Sequence, residues 1–193
     1  MAVSEQIPNP ETGGVRTFSI TPLMPSSPTY VINQDDRDGE GFRAFWVPYR
    51  ANHYSEYDLS SAGDFDAEVQ FILTFTLSGC TFAAGSGRRP KLAHINHQVE
   101  GEIDQERIDQ DLRAHFDDTA ALTLKKAGYF GKAQGFANTK YTVMGVLEIG
   151  DWVFYLNTKG QFANGMQAWQ LHGMVDIPTP GAHGGARRTC TIL

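Results

Sequence analysis

The sequence predicts one α+β domain. Short runs rich in β-branched and aromatic residues recur along the chain, and one long stretch, 102–127, reads as helix. No internal repeat breaks this pattern. At 193 residues the chain has room for one domain with a substantial core. Apolar content of 41% and charged content of 20% are those of a soluble globular protein.

Several function classes recede on composition. The net charge is −6 and no long basic stretch occurs, which argues against a nucleic-acid-binding surface. An acidic protein can still dock on a basic partner. No apolar run approaches the ~18 residues of a membrane-spanning helix. The first residues, Met1 to Gln6, lack the basic and apolar regions of a classical signal peptide. Cys80 and Cys190 do not make a disulfide framework, so a reducing working compartment is expected. Any export would use a non-classical route. No Walker loop or dinucleotide fingerprint occurs.

Taken in order, residues 1–14 are polar, contain Pro and Gly, and read as a flexible tail. Residues 15–20 and 30–32 read as short strands. Asp36, Asp38 and Gly39 superficially suggest a calcium loop, but Gln34 and Phe45 would stand at its first and twelfth positions, so the pattern fails. Phe42 to Val47 reads as a strand, with Pro48 ending it or marking an edge. Residues 50–63 read as a polar loop. The stretch 64–77 is read as a helix: Asp64, Asp66 and Glu68 suit a first turn, and Phe65, Val69, Ile72 and Leu73 share one face. Phe, Ile and Thr at 71–76 pull the other way, towards a strand.

Glu102 to Ala127 reads as helical, with a break near 117–119 capped by Asp118 or Thr119, and Gly128 as its stop. Its acidic outer face and His115 read as structural. A Gly-rich loop follows at 129–139. Residues 141–149 and 152–156 read as a hairpin turning at Gly150-Asp151, and 166–177 as a last strand with Trp169. At least six strands and one or two helices are therefore expected.

The chemistry gathers at 74–97. Thr81 to Ala84 reads as a strand, Gly85 to Pro90 as a turn, and Lys91 to His97 as the returning strand. Counting outward from the turn places Cys80 opposite His94 within one residue of register, and opposed residues share a face. An imidazole so placed can take the thiol proton, and the thiolate is the nucleophile. Gly79 would let a substrate approach the backbone, and amides at Ser78 to Cys80 would hold a developing oxyanion. His97 has the opposite parity and should face away. That parity makes a zinc site from Cys80, His94 and His97 awkward, and no metal or other cofactor is expected. Against this stands the bland reading of a buried core thiol and a strand histidine.

Leu77-Ser78-Gly79-Cys80, then Phe82-Ala83, Gly85-Ser86-Gly87, Pro90 and His94-Ile95-Asn96, resembles the active-site stretch of the Burkholderia lethal factor and cytotoxic necrotizing factor family. These are protein-glutamine deamidase toxins. Trp46-Val47-Pro48-Tyr49 resembles a Trp-Leu-Pro-Trp segment of the lethal factor, and Thr74 matches a Thr counted with its active site. Val143, Gly145, Leu147, Gly150 and Trp169 resemble its C-terminal strands. The likeness runs patchily over 42–177, and the Cys-to-His stretch is its specific part. The hairpin loop departs from the family: it is two residues longer and carries Arg88 and Arg89.

The resemblance implies a central β-sandwich of mixed sheets flanked by helices, with 15–177 as a single catalytic domain. It implies Gln-to-Glu conversion on a host protein with an exposed Gln, with Cys80 as nucleophile, His94 as base and Thr74 in support. The toxin or effector would be secreted or delivered into a host cytosol, and a monomer is expected. The lethal factor points to the helicase subunit of the translation initiation factor as target. The wider family points to deamidation or transglutamination of Rho-family GTPases. A non-enzymatic β-rich binding protein remains the alternative.

Residues 178–193 read as a flexible tail ending Cys190-Thr191-Ile192-Leu193. That ending fits a prenylation signal whose final Leu favours geranylgeranyl transfer, with Arg187 and Arg188 as a small basic supplement. A lipidated Cys190 would put the protein on a membrane.

Overall fold

The computed structural model describes residues 2–3, 12–22, 30–34, 41–116, 122–129, 137–161 and 167–173. The first strands are β1 (Ala2–Val3), β2 (Gly14–Pro22), β3 (Tyr30–Gln34), β4 (Phe42–Val47), β5 (His53–Asp58) and β6 (Phe71–Thr74). The central hairpin is β7 (Thr81–Ala84) and β8 (Lys91–Asn96), followed by the small ribbon β9 (Gln98–Val99) and β10 (Glu102–Ile103). Then come α1 (Gln105–His115), β11 (Leu122–Leu124), α2 (Lys126–Tyr129), β12 (Ala137–Glu148), β13 (Asp151–Gln161) and β14 (Gln167–Gly173).

The molecule is mostly β, with mixed sheets. Eight strands form one sheet in the order β1-β3-β2-β4-β6-β12-β13-β14, with β4 and β6 parallel. Four form a second, β11-β7-β8-β5. Residues from both sheets join one apolar cluster: Val47, Ile72, Val143 and Phe154 from the large sheet meet Cys80, Phe82, Leu92 and Leu124 from around the small one. The other face of the small sheet is covered by α1, where Ile108, Leu112 and Phe116 pack on Ala83, Ala93 and Ile95. Burying Ile108 or Leu112 contributes roughly 1.5–3 kcal/mol each. Asp104 caps α1 by accepting the Arg107 N–H at 3.0 Å.

The expected balance of helix and strand shifts in three places. The proposed helix at 64–77 is a turn region followed by β6. Asp66 folds its carboxylate onto the Glu68 N–H at 2.9 Å and pairs with Arg43, which uses the acids in a turn. Phe71 to Thr74 then slot into the sheet beside β4, as their β-branched and aromatic character favours. The polar loop expected at 50–63 contains β5, an edge strand whose Tyr54 and Tyr57 pack on the two faces of the small sheet. The second half of the expected long helix is β11, paired with β7. Leu122 and Leu124 are buried and Thr123 is exposed, a period of two. Gly128, expected as a helix stop, lies inside α2. The expected caps at Asp118 and Thr119, the calcium-like residues 36–39 and the tail with Cys190 lie outside the described residues.

Other expectations hold. β2, β3, β4 and β14 fall where the sequence places strands. β12 and β13 are longer than predicted and turn at Ile149-Gly150, both with positive φ (50° and 92°), one residue before the expected turn.

Candidate active site around Cys80

The hairpin β7–β8 forms as expected, but its register is shifted. Pro90 has no N–H and cannot close the ladder. Closure falls to the Gly85 N–H, which donates to the Lys91 carbonyl at 2.8 Å. Phe82 therefore opposes His94, and Thr81 opposes Ile95. One step further along the same register, Cys80 meets Asn96 and not His94. The Asn96 Nδ2–H donates to Cys80 Sγ at 3.2 Å.

Cys80 is fully buried. Burial pushes its thiol pKa up, opposed by the Asn96 amide and by the backbone N–H groups of Ser78 and of Cys80 itself. The turn before it is held from a distance. The Gly79 N–H donates to the Tyr129 hydroxyl at 3.0 Å, and that hydroxyl donates to the Cys80 carbonyl at 2.8 Å. Gly79 has φ +116° and lies under Ile103 of β10, which a Cβ at residue 79 would meet at 2.9 Å. Of the two residues expected to supply oxyanion donors, Ser78 is exposed at its side chain, and Gly79 already spends its N–H on Tyr129.

His94 lies on the same face of β8 as Asn96, turned into the core. It is 2% exposed, and neither ring nitrogen has a hydrogen-bond partner of normal geometry among the described residues. Burial pushes its pKa down to about 4, and the nearby backbone of Val47 and Pro48 opposes this only in part. The ring is therefore a neutral base at pH 7. Tyr49, just beyond β4, closes over it with ring centroids 5.8 Å apart. The Tyr49 hydroxyl also accepts from Asn96 Nδ2 at 3.3 Å, and burial together with the nearby Cys80 raises its pKa.

Thr74 is buried at the end of β6, where its Oγ1 accepts the Val143 N–H at 3.0 Å. No hydrogen bond among the described residues joins it to His94. His97 faces the other way, as its parity predicts, and its Nε2 meets Asp111 on α1. Arg88 and Arg89 are exposed at the hairpin tip, where the Trp152 Nε1–H donates to the Arg88 carbonyl at 2.9 Å.

The site thus assembles Cys80 with Asn96, Tyr49, His94 and Tyr129. Asn96 and Tyr49 fell within segments singled out by resemblance, but no role was assigned to either. Their shared contact with Cys80 follows from the register set by Pro90. Tyr129 lay in what the sequence reads as loop. A cavity of about 330 Å³ opens along β5, lined by Arg50, His53, Tyr54 and Tyr57 among others. Its lining includes Ser55, the cross-strand partner of His94, but neither His94 nor Cys80. Comparison with models of known protein families found no match, and comparison with curated proteins found no significant one.

Proposed function

We propose that this chain is a cysteine-dependent amidohydrolase that converts a glutamine of a target protein to glutamate. One observation carries the reading. A thiol surrounded by N–H donors shares a hairpin face with a neutral imidazole whose ring nitrogens have no hydrogen bond of normal geometry among the described residues and only the backbone of Val47 and Pro48 nearby. Buried polar atoms are rarely left unpaired without a purpose, because each costs roughly 1–3 kcal/mol. The resemblance at Leu77 to Cys80 and at His94 supports the same chemistry, and we read the two facing sheets with α1 as the sandwich that it implies.

In this mechanism His94 takes the Cys80 proton as sulfur attacks the carboxamide carbon. The S–C bond forms, and the carbonyl π pair moves to oxygen. Collapse breaks the C–N bond, and the imidazolium proton leaves with ammonia. Water then hydrolyses the thioester, restoring the thiol and leaving a carboxylate. The product gains one negative charge on the target, enough to disable an electrostatic contact. The helicase subunit of the translation initiation factor is the first target to examine, and Rho-family GTPases the second.

A second reading has its own support. Cys80 is fully buried within the apolar cluster, as a structural thiol in a β-rich binding protein would be. One experiment separates the two. Eukaryotic cell extract is treated with wild type and with Cys80→Ala, and Gln-to-Glu conversion is sought by mass spectrometry. Conversion with wild type alone supports the amidohydrolase. Its absence, with a Cys80 inert to iodoacetamide, favours the binding protein.

A further inference from the structure

Asn96 stands at the centre of a chain of hydrogen bonds that fixes which end of its carboxamide faces sulfur. Asn52, in a left-handed turn at φ 55°, accepts the Gln98 N–H on its own Oδ1 at 3.0 Å. Its backbone N–H donates to Asn96 Oδ1 at 3.4 Å. A backbone N–H can only donate, so Oδ1 must face Asn52 and Nδ2 must face the site. The two Nδ2 hydrogens are then divided between Cys80 Sγ and the Tyr49 hydroxyl. The carboxamide is 1% exposed and every one of its polar atoms is engaged. His94, by contrast, touches none of these groups through a hydrogen bond.

We propose that Asn96 is the positioning residue of the site: its carboxamide N–H holds the Cys80 sulfur in place and favours the thiolate over the thiol. The inference takes its purpose from the amidohydrolase reading but is measured without it. A donor to sulfur stabilises the anion more than the neutral thiol, which accepts only weakly. It is needed here because burial works against the anion, and because the Gly79 N–H is committed to Tyr129. With Asn96 in place, His94 has to accept a proton only as attack begins, so it needs no standing contact with Cys80.

The test is a titration of the Cys80 ¹³Cβ chemical shift in the full chain, with Cys190 as the second, internal signal. Other titratable groups around Cys80 stay neutral through the neutral range: His94 from β8, Tyr49 beyond β4 and Tyr129 from α2. Asn96→Leu keeps the shape and removes the donor. It should raise the Cys80 midpoint by about one pH unit, which is about tenfold less thiolate at a fixed pH below it. Asn96→Asp places a carboxylate against sulfur and should raise it further. Should Asn96→Leu fail to fold, Asn96→Asp carries the test, being nearly isosteric. A midpoint unmoved in the folded variants would overturn the proposal, because a purely structural Asn96 would change melting and leave the midpoint alone. If wild type converts Gln in extract while the midpoint stays put, the inference fails and the amidohydrolase reading survives. If the midpoint moves while no extract protein is converted, the thiolate role of Asn96 stands without that reading.

Discussion

His94 and His97 stand close together on one stretch of chain, both buried, at 2% and 3% exposure, yet they are built in opposite ways. His97 joins the small sheet to α1. Its Nε2 meets Asp111, while its Nδ1 is buried without a partner among the described residues, and its carbonyl accepts the Asp104 N–H at 2.9 Å, next to the helix cap. His94 faces the core between Phe82 and Ser55, its cross-strand partners, and neither ring nitrogen has a hydrogen bond of normal geometry among the described residues. The first arrangement contributes stability. The second costs it, roughly 1–3 kcal/mol for each buried group left unpaired. Such a cost is tolerated where a group must stay available for chemistry.

The contrast sharpens into measurements. The largest effect belongs to Cys80, the nucleophile of the proposed reaction. Cys80→Ala should lower Gln-to-Glu conversion about a thousandfold or more, read by mass spectrometry of a converted substrate. Its melting should change far less, since only a small buried group is removed. Residual conversion near the wild-type rate would remove Cys80 from the chemistry.

Next comes His94→Phe, which should cut conversion about a hundredfold or more. The same change should stabilise the fold in acid. In the unfolded chain the imidazole protonates near its ordinary pKa of 6.5, whereas the buried ring resists until about pH 4. Because the folded pKa is the lower one, stability present above about pH 6.5 is lost as pH falls towards 4, by about 3 kcal/mol at most. Urea unfolding across that window should show the slope in wild type and a flatter profile in His94→Phe. Equal slopes would mean that the ring finds a partner or water that relieves its burial. His97→Phe should behave in the opposite sense. It should lose about 1–3 kcal/mol near neutral pH through the broken link to Asp111, with conversion largely retained.

What the sequence disclosed follows the range of the forces involved. β4, the β12–β13 hairpin and the Gly-rich turn after Cys80 were legible because local pattern and turn chemistry set them. β5 was hidden because an edge strand needs little apolar content. β6 and β11 were hidden because their strand form depends on neighbours far along the chain, β4 and β7. At the site, Cys80 and the inward face of His94 were visible. Their mutual register was not, because one missing N–H at Pro90 moves the closure of the hairpin by one residue. The long-range contacts were out of reach for the same reason: Asn52 and Tyr129 come to the site from other elements, and nothing in their immediate sequence marks them.

Tyr129 gives the smallest of the expected effects and the one closest to pure structure. Its hydroxyl receives the Gly79 N–H and donates to the Cys80 carbonyl, so it satisfies two buried backbone groups in a turn with a left-handed glycine. Tyr129→Phe keeps the ring packed against Tyr141 and removes only that oxygen. The Gly79 N–H is then buried without a partner, which should cost about 1–2 kcal/mol in urea unfolding at neutral pH. The loss falls on the backbone and not on sulfur, so the Cys80 titration midpoint should stay near the wild-type value while the thiol becomes easier to alkylate. A midpoint that moved as far as in Asn96→Leu would make the turn, and not the Asn96 carboxamide, the feature that tunes Cys80. Unchanged stability would show that the Gly79 N–H reaches water once the hydroxyl is gone, and that the turn is more open than its burial implies.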